Sequence, residues 1–257
     1  ASNHYASTDK CENWTQIHQA TATKGGIWQK KCGTCDYVYE TLKSPTTKKQ
    51  VMVSTYDELK AALAKGGQKW ITLQPESSVN AWLIQEDMTS DNALVLDDPD
   101  ANIIIDLNGC GIGRETGKYD DALFDIRQGK LRIFSTKLAA VPNDEWNLSF
   151  RSTAKEFCLF RVGENGTLRL TNVSGTTPKD NLGYGTPIVI SKGNLQIDGG
   201  YYCNSLKSFS YSGTPRAAAV VLDGGNAVIN GGRYEGEGCG VAALWGSQLT
   251  VNGGYIG

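Results

Sequence analysis

A 15-residue pattern occurs three times without a gap near the end of the chain, and it constrains the fold more than any other feature. The copies are IVISKGNLQIDGGYY from Ile188, VVLDGGNAVINGGRY from Val220 and AALWGSQLTVNGGYI from Ala242. In each copy apolar residues recur at alternate positions, which is the period of a half-buried β-strand. Each copy therefore predicts a strand, a tight turn, a second strand and a glycine corner.

The same pattern extends upstream with extra turn residues, so that units begin at residues 94, 124, 160, 188, 220 and 242. Such a unit cannot bury its apolar face alone and must stack on its neighbours. We therefore expect an all-β fold, a right-handed parallel β-helix solenoid over residues 51–257. Its core would contain a stack of Ile190, Leu222 and Leu244. An antiparallel sandwich is the rival fold, but it would not show phased repeats.

The segment before the repeats predicts a helix that caps the open end of the solenoid. Thr55 and Glu58 have the spacing of a capping box, and Gly66 would end the helix. Residues 70–73 would form the first strand. At the other end the sequence stops at Gly257, directly after a unit. We expect either a truncation or further domains of the same chain there.

The phased strands and glycine corners resemble those of the pectate-lyase-like β-helix superfamily. That resemblance implies architecture and little about chemistry. Polysaccharide lyases of this fold hold calcium with carboxylates, and its glycosidases use clustered aspartates. The carboxylates near the unit ends here are Asp97, Asp98, Asp100, Asp120, Asp121, Asp198 and Asp223. They form no recognisable constellation, so calcium and catalysis lack support and we expect these groups to bond local amides.

The first 45 residues predict a separate small module. Its candidate metal ligands are Cys11, His18, Cys32 and Cys35. Three cysteines and a histidine suit a structural zinc ion, with His4 as the other candidate histidine. The segment resembles zinc-ribbon-like modules of secreted proteins from Gram-positive gut bacteria, although Ala22 stands where that pattern has a cysteine. The alternative is a disulfide that joins Cys32 to Cys35 or to Cys11.

The other cysteines are scattered through the repeats. Cys110 and Cys158, at or near strands, predict buried thiols. Cys203 and Cys239 flank adjacent units and are candidates for a disulfide.

Charge and hydropathy exclude some classes of partner. The chain has 25 basic and 27 acidic residues, a net charge of −2, so no basic excess points to nucleic acid or an anionic membrane surface. No apolar run approaches the length of about 18 residues that a membrane span needs. We expect a secreted or cell-surface protein with an uncharged partner.

One repeat position carries the residues that most suggest binding. The alignment places Tyr201, Arg233 and Tyr255 in one outward column, and flat rings beside a guanidinium suit sugar faces and hydroxyls. Trp245, on the neighbouring face, and Tyr211, in an insertion, would extend it. We predict that the protein binds carbohydrate or a surface glycan without catalysis. The alternatives are a lyase or glycoside hydrolase, and a structural adhesin stalk whose column is a stabilising ladder.

Overall fold

The computed structural model describes residues 14–32, 37–75, 82–85, 91–116, 121–137, 148–152, 157–177, 187–204, 218–236 and 239–257. Within these ranges the protein is mostly β-strand, with one α-helix and one short 3-10 helix. The strands form a three-stranded sheet and a 16-stranded sheet. All strand pairs of the larger sheet are parallel. The predicted all-β class is confirmed.

The small sheet is antiparallel and comes first in the chain. Its strands are β1 (Trp14–His18), β2 (Ile27–Lys31) and β3 (Val38–Lys43). They pair in the order β1-β2-β3. A 3-10 helix over Thr47–Lys49 leads from this sheet into the large one.

The large sheet contains every later strand. These are β4 (Gln50–Val53), β5 (Gln68–Leu73), β6 (Trp82–Gln85), β7 (Leu94–Asp106), β8 (Gly111–Thr116), β9 (Asp121–Phe134), β10 (Leu148–Ser152), β11 (Phe157–Thr171), β12 (Gly175–Thr177), β13 (Val189–Ser191), β14 (Asn194–Asn204), β15 (Ala218–Asp223), β16 (Asn226–Glu235), β17 (Cys239–Leu244), β18 (Gln248–Val251) and β19 (Tyr255–Ile256).

Helix α1 (Tyr56–Ala64) lies between β4 and β5 and begins with the predicted capping box. The Thr55 side chain accepts from the backbone N–H of Glu58, and the Glu58 carboxylate accepts from the backbone of Thr55. Leu59 and Leu63 are buried in the main core. Gly66, at φ +58°, follows the helix. None of the helices in the described residues has the length and hydrophobicity to cross a bilayer.

The parallel sheet begins earlier than the sequence predicts. Strand β4 pairs with β5, so residues 70–73 belong to the second strand of the sheet. In β4 only Val53 is buried, and Met52 is 65% exposed. A single buried residue leaves no alternation for a sequence pattern to detect.

The parallel pairs form three runs. One run joins β4, β5, the second halves of β7, β9 and β11, the first halves of β14 and β16, and β18. Another joins the first halves of β7, β9 and β11 to β13, β15 and β17. The third joins β6, β8, β10, β12, the second halves of β14 and β16, and β19.

The upstream units pair in the predicted register. Leu94 lies opposite Phe124, and Phe124 lies opposite Phe160. The two phenylalanine rings stack with centroids 5.3 Å apart, and all three residues are buried. Here the alternate apolar residues point into a shared core, as their period requires.

The predicted stack of Ile190, Leu222 and Leu244 is wrong. Ile190 is opposite Val221, and Leu222 lies between Ser191 and Ala243 in register. The second strands do follow the predicted alignment, since Leu195 is opposite Ala227.

Unequal turns explain this shift. Val189 pairs with Val220, and Asn194 pairs with Asn226. Asn194 comes five residues after Val189, whereas Asn226 comes six residues after Val220. An ungapped alignment hides such a difference, and a slip of one residue moves a side chain to the other face of a strand.

Candidate functional site

Three residues of the third run form an outward column at the predicted position. Arg233 on β16 is opposite Tyr201 on one side and Tyr255 on the other. Its guanidinium carbon lies 5.0 Å from the ring centroid of Tyr201 and 5.7 Å from that of Tyr255. Arg233 and Tyr255 are exposed, and Tyr201 is half-buried. We call these three residues the tyrosine–arginine column.

A glutamate that the sequence analysis missed fixes the column. The Tyr201 hydroxyl donates to Glu235 Oε2 at 2.5 Å, and Arg233 Nε donates to Glu235 Oε1 at 2.6 Å. Glu235 is two residues after Arg233, so both side chains lie on the same face of β16. That spacing of opposite charges was the available signal. The carboxylate holds one ring and the guanidinium in a single arrangement.

The pKa values of these groups are consistent with a fixed ion pair. The Tyr201 and Arg233 hydrogen bonds lower the pKa of Glu235. The hydrogen bond to Glu235 raises the pKa of Arg233. Partial burial, followed by the hydrogen bond to Glu235, raises the pKa of Tyr201. At neutral pH the column is therefore a neutral phenol next to a charged pair.

Glycine corners place the column on the outer surface. Strict alternation from the buried Ile197 would turn Tyr201 inward, but the register shifts between Asp198 and Tyr201. Gly199 and Gly200 have φ of +101° and +104° there. A Cβ on Gly200 would lie 2.0 Å from the carbonyl oxygen of Val173, so only glycine fits this position.

The inward neighbours of the column form their own stack. Tyr202 and Tyr234 are buried, and their rings are parallel within 9° with centroids 5.3 Å apart. The Tyr234 hydroxyl donates to the carbonyl oxygen of Gly231 at 2.7 Å. This buried stack supports the backbone that carries Arg233.

Neither of the two predicted extensions of the column is established. Trp245 is 85% exposed at φ +45° in the turn between β17 and β18, so it is not in register with Tyr255 on β19. Tyr211 lies outside the described residues. The site that the structure brings together is Tyr201, Arg233, Tyr255 and Glu235.

Three of the carboxylates at the unit ends, Asp97, Asp98 and Asp223, bond to nearby groups. Asp98 accepts from the backbone N–H groups of Gly67 at 2.7 Å and Asp100 at 3.0 Å. Asp97 accepts from Gln128, and Asp223 pairs with Lys192 at 3.5 Å. In the described ranges no three His, Cys, Asp or Glu side chains are grouped to hold a metal ion. Asp120 and the side chain of Asp121 lie outside the part of the chain that the structure describes.

Asp198 is the most strongly bonded of these groups. It accepts from Arg169 at 2.6 Å, Asn230 at 2.6 Å and Gln196 at 2.9 Å. Burial opposes its ionisation, but these hydrogen bonds outweigh burial and lower its pKa. The carboxylate links the corner to the next unit, which is a structural role.

The small sheet separates two of the predicted zinc ligands. His18 is exposed and opposite Ile27 at the start of β2, whereas Cys32 follows the end of β2 at Lys31. Five residues of extended strand correspond to roughly 16 Å. Zinc lies about 2.3 Å from sulfur and 2.1 Å from nitrogen, so His18 and Cys32 are too far apart to share one ion. Cys11 and Cys35 lie outside the described residues.

The remaining cysteines fall into two groups. Cys110 and Cys158 are buried, as predicted, with 7% and 0% exposure. Burial raises the pKa of Cys110. Cys203 is in register with Glu235, and Cys239 with Ala218 in a different run. The structure does not join Cys203 to Cys239.

Aromatic side chains join the small sheet to the large one. Trp28 of β2 stacks on Trp70 of β5 with centroids 6.4 Å apart at 18°, and Trp14 of β1 packs edge-on against Phe134 at 5.4 Å. Trp70 also meets Phe134 edge-on at 5.2 Å. These four rings form a second core between the two sheets.

Two arginines of the large sheet bind one carboxylate of the small sheet. Glu40 of β3 accepts from Arg132 at 2.9 Å and from Arg169 at 3.0 Å. The Arg132 guanidinium also lies 5.9 Å from the centroid of the Trp14 ring. Rings and charges together hold the small sheet against β9 and β11.

A cleft of about 350 Å³ opens beside these rings, and the sequence analysis did not anticipate it. Its walls come from both sheets and include Trp14, Trp28, Trp70, Gln16, Asn108 and Lys137. We call it the tryptophan cleft. No sequence motif links these positions, because the docking of one sheet on the other creates the cleft.

Asp106 organises the polar side of the tryptophan cleft. Its carboxylate accepts from the N–H of Asn108 at 2.9 Å and from the N–H and hydroxyl of Thr136 at 2.8 and 2.7 Å. Burial raises the pKa of Asp106, and the hydrogen bonds from Thr136 and Asn108 oppose this rise. Asn108, at φ +52°, donates its side-chain N–H to the Leu73 carbonyl at 3.0 Å.

Comparison with protein-family models, with curated proteins and with solved structures finds no match to the chain.

Proposed function

We propose that residues 51–257 form a right-handed parallel β-helix with a small module docked on its side. The three runs of parallel pairs support this, because each strand pairs with the corresponding strand of the next unit. Parallel crossovers are right-handed in about 98% of cases, which supports the hand. The pectate-lyase-like superfamily is the family whose architecture this arrangement resembles.

We propose that the protein binds carbohydrate through the tyrosine–arginine column and does not cleave it. The observation that carries the proposal is the Arg233 guanidinium between the rings of Tyr201 and Tyr255 at 5.0 and 5.7 Å. The guanidinium offers hydrogen-bond donors to sugar hydroxyls, and each tyrosine ring offers pyranose C–H groups the apolar face that Arg233 does not cover.

Fixed geometry favours binding at this column. Tyrosine has only two side-chain torsions, so it loses little entropy on binding, and the hydrogen bond to Glu235 already restrains Tyr201. Parallel strands are about 4.8 Å apart, so the column spans about 10 Å from Tyr201 to Tyr255. That length corresponds to about two sugar residues, and we expect a modest affinity.

The test of this function is retention on glycan arrays and insoluble polysaccharides. We expect the double variant Tyr201→Ala and Tyr255→Ala to lose retention while its circular dichroism spectrum and melting temperature stay close to those of the wild type. The matched control is Trp245→Ala, which removes an exposed ring outside the column. It should bind like the wild type.

Other outcomes would contradict the proposal. Wild-type protein that binds no glycan would favour the structural stalk, in which the column is a stabilising ladder. Release of unsaturated or reducing sugars would favour the lyase or hydrolase. Loss of binding in the Trp245 variant alone would place the ligand at another surface.

We further propose that the protein is secreted or displayed at the cell surface. A glycan ligand is most abundant there, and the resemblance of the small module to secreted zinc-ribbon-like modules agrees with this location. The net charge of −2 supports an uncharged partner over nucleic acid.

We also propose a structural zinc ion held by Cys11, Cys32, Cys35 and His4. The distance between His18 and Cys32 along the β1–β2 hairpin removes His18 from the set, which leaves His4 as the histidine. A site with four protein ligands is closed and has no open position for catalysis. The ion would stabilise the end of the hairpin away from Ile27.

Metal analysis tests the zinc proposal. Protein purified without added zinc should contain about one equivalent, because structural sites bind tightly at neutral pH. His4→Ala should lower the zinc content, and the control His18→Ala should leave it unchanged. A disulfide between Cys32 and Cys35 with no metal would overturn the proposal, and so would a loss of zinc in the His18 variant alone.

A further inference from the structure

We propose that the tryptophan cleft is a second ligand site, separate from the tyrosine–arginine column, that takes one residue of a neutral sugar. Its volume of about 350 Å³ falls within the usual range of small-molecule sites, about 300–1,000 Å³. That volume accommodates a pyranose ring and part of a neighbouring residue. The cleft is on the side of the molecule where the small sheet docks.

The aromatic wall of the cleft is suited to a ring face. Trp14 and Trp70 are 7% and 3% exposed, so they serve as the floor, whereas Trp28 is half-buried and lines the cleft. The Trp70 indole N–H donates to the Thr72 hydroxyl at 3.1 Å. This bond fixes one ring, and stacking on it fixes Trp28. A pyranose would therefore meet an aromatic surface that is already ordered.

Polar side chains beside the rings are suited to hydroxyl groups. Gln16 and Asn108 carry amides, which both donate and accept hydrogen bonds. The Asn108 side-chain N–H bonds to Leu73, and within the described chain no donor reaches its side-chain oxygen. That oxygen is held in position and is available to accept from a sugar hydroxyl.

The charges in the cleft favour a neutral ligand. Among the described residues that line it, Asp106 and Lys137 are the charged ones, and their charges cancel. The Asp106 carboxylate already accepts three hydrogen bonds from Asn108 and Thr136. These hydrogen bonds use the acceptor capacity of the carboxylate. Asp106 is therefore not a free anionic group that could bind a cationic ligand or transfer a proton.

Tryptophan fluorescence of the full chain provides the test. Neutral disaccharides (cellobiose, maltose and lactose) are titrated against the wild type, with a diuronic acid as the charged comparison. We expect at least one neutral disaccharide to give a saturable change, and the diuronic acid to give none. No saturable change with any neutral disaccharide would overturn the proposal, as would a saturable change with the diuronic acid alone.

Variants on β1 locate the binding. Gln16→Ala should weaken disaccharide binding by about tenfold, the loss expected for one good polar contact, and Trp28→Ala should weaken it further. The matched control is Thr15→Ala, because Thr15 is next to Gln16 and alternation turns it to the other face of β1. It should bind like the wild type. Gln16 is exposed, so its variant remains informative if Trp28→Ala disturbs docking.

The column variant distinguishes this site from the proposed function. The double alanine variant of Tyr201 and Tyr255 should keep the fluorescence response while it loses retention on polysaccharide. If the double variant loses the response and Gln16→Ala keeps it, the fluorescence reports the column and the cleft is not a sugar site.

Discussion

Leu222 is fully buried on β15, and both of its neighbours in register, Ser191 and Ala243, have small side chains. The buried Ser191 hydroxyl lies 3.4 Å from the Gly193 carbonyl oxygen. A large leucine between two small side chains fills space that its neighbours cannot fill.

We expect Leu222→Ala to lower the free energy of unfolding by about 2–5 kcal/mol, because small neighbours cannot collapse into the cavity. The measurement is equilibrium denaturation in urea. Val228→Ala, which shortens a 37% exposed side chain on β16, should change stability by much less. Equal effects of the two substitutions would mean that Leu222 is not in the core.

Most of the alternating apolar residues of the repeat units are buried, but alternation did not identify all of their stacking partners. It assigned Leu222 to the core correctly and paired it with Ile190 wrongly, since a register depends on turn lengths that apolar spacing does not record. The column of Tyr201, Arg233 and Tyr255 was predictable because these residues follow the glycine pair at a constant distance. Glu235 was missed because a lone carboxylate has no repeat to mark it.

At the scale of elements, local hydrogen bonding made some features predictable. The capping box of α1 depends on residues within four positions of each other, so the sequence specifies it fully. The corners are similar, because Gly200, Gly232 and Gly254 all have φ above +100° and few other residues tolerate that conformation. Strand β4 was not predictable, since its place in the sheet depends on β5 and α1 rather than on its own pattern.

The core and the outward column of each unit come from different runs of strands. The first two strands of a unit supply most of the apolar core, through residues such as Phe124 and Leu131. The second half of β14, which belongs to the third run, carries Tyr202 inside and Tyr201 outside. The glycine corner separates the core strands from the column, because the register shifts there and changes which residues point outward.

Across the molecule, the contacts between the small sheet and the large sheet could not be predicted from the sequence. The contacts join positions far apart in the chain, such as Trp28 with Trp70 and Glu40 with Arg169. The alternation of residues that defines a strand contains no information about a second surface. Trp14 and Trp28 were therefore not recognised as docking residues, and the cleft beside them was not foreseen.

Glu40 makes the ion pairs that join the small sheet to the large sheet. It is 24% exposed in its side chain and binds Arg132, which is 11% exposed, and Arg169, which is 32% exposed. In the described chain the buried Nε of Arg132 has no hydrogen-bond partner. Loss of the carboxylate would leave Arg132 with a largely buried charge and less compensation.

We therefore expect Glu40→Ala to lower the free energy of unfolding by about 3 kcal/mol, the size typical of breaking a buried pair from one side. The loss should be concentrated in β1, β2 and β3, so hydrogen exchange should accelerate there before it changes in β9 and β11. The matched control is Glu164→Ala, an exposed glutamate on β11, which should change neither measurement. Glu40→Ala with unchanged exchange in the small sheet would mean that the aromatic contacts alone hold the two sheets together.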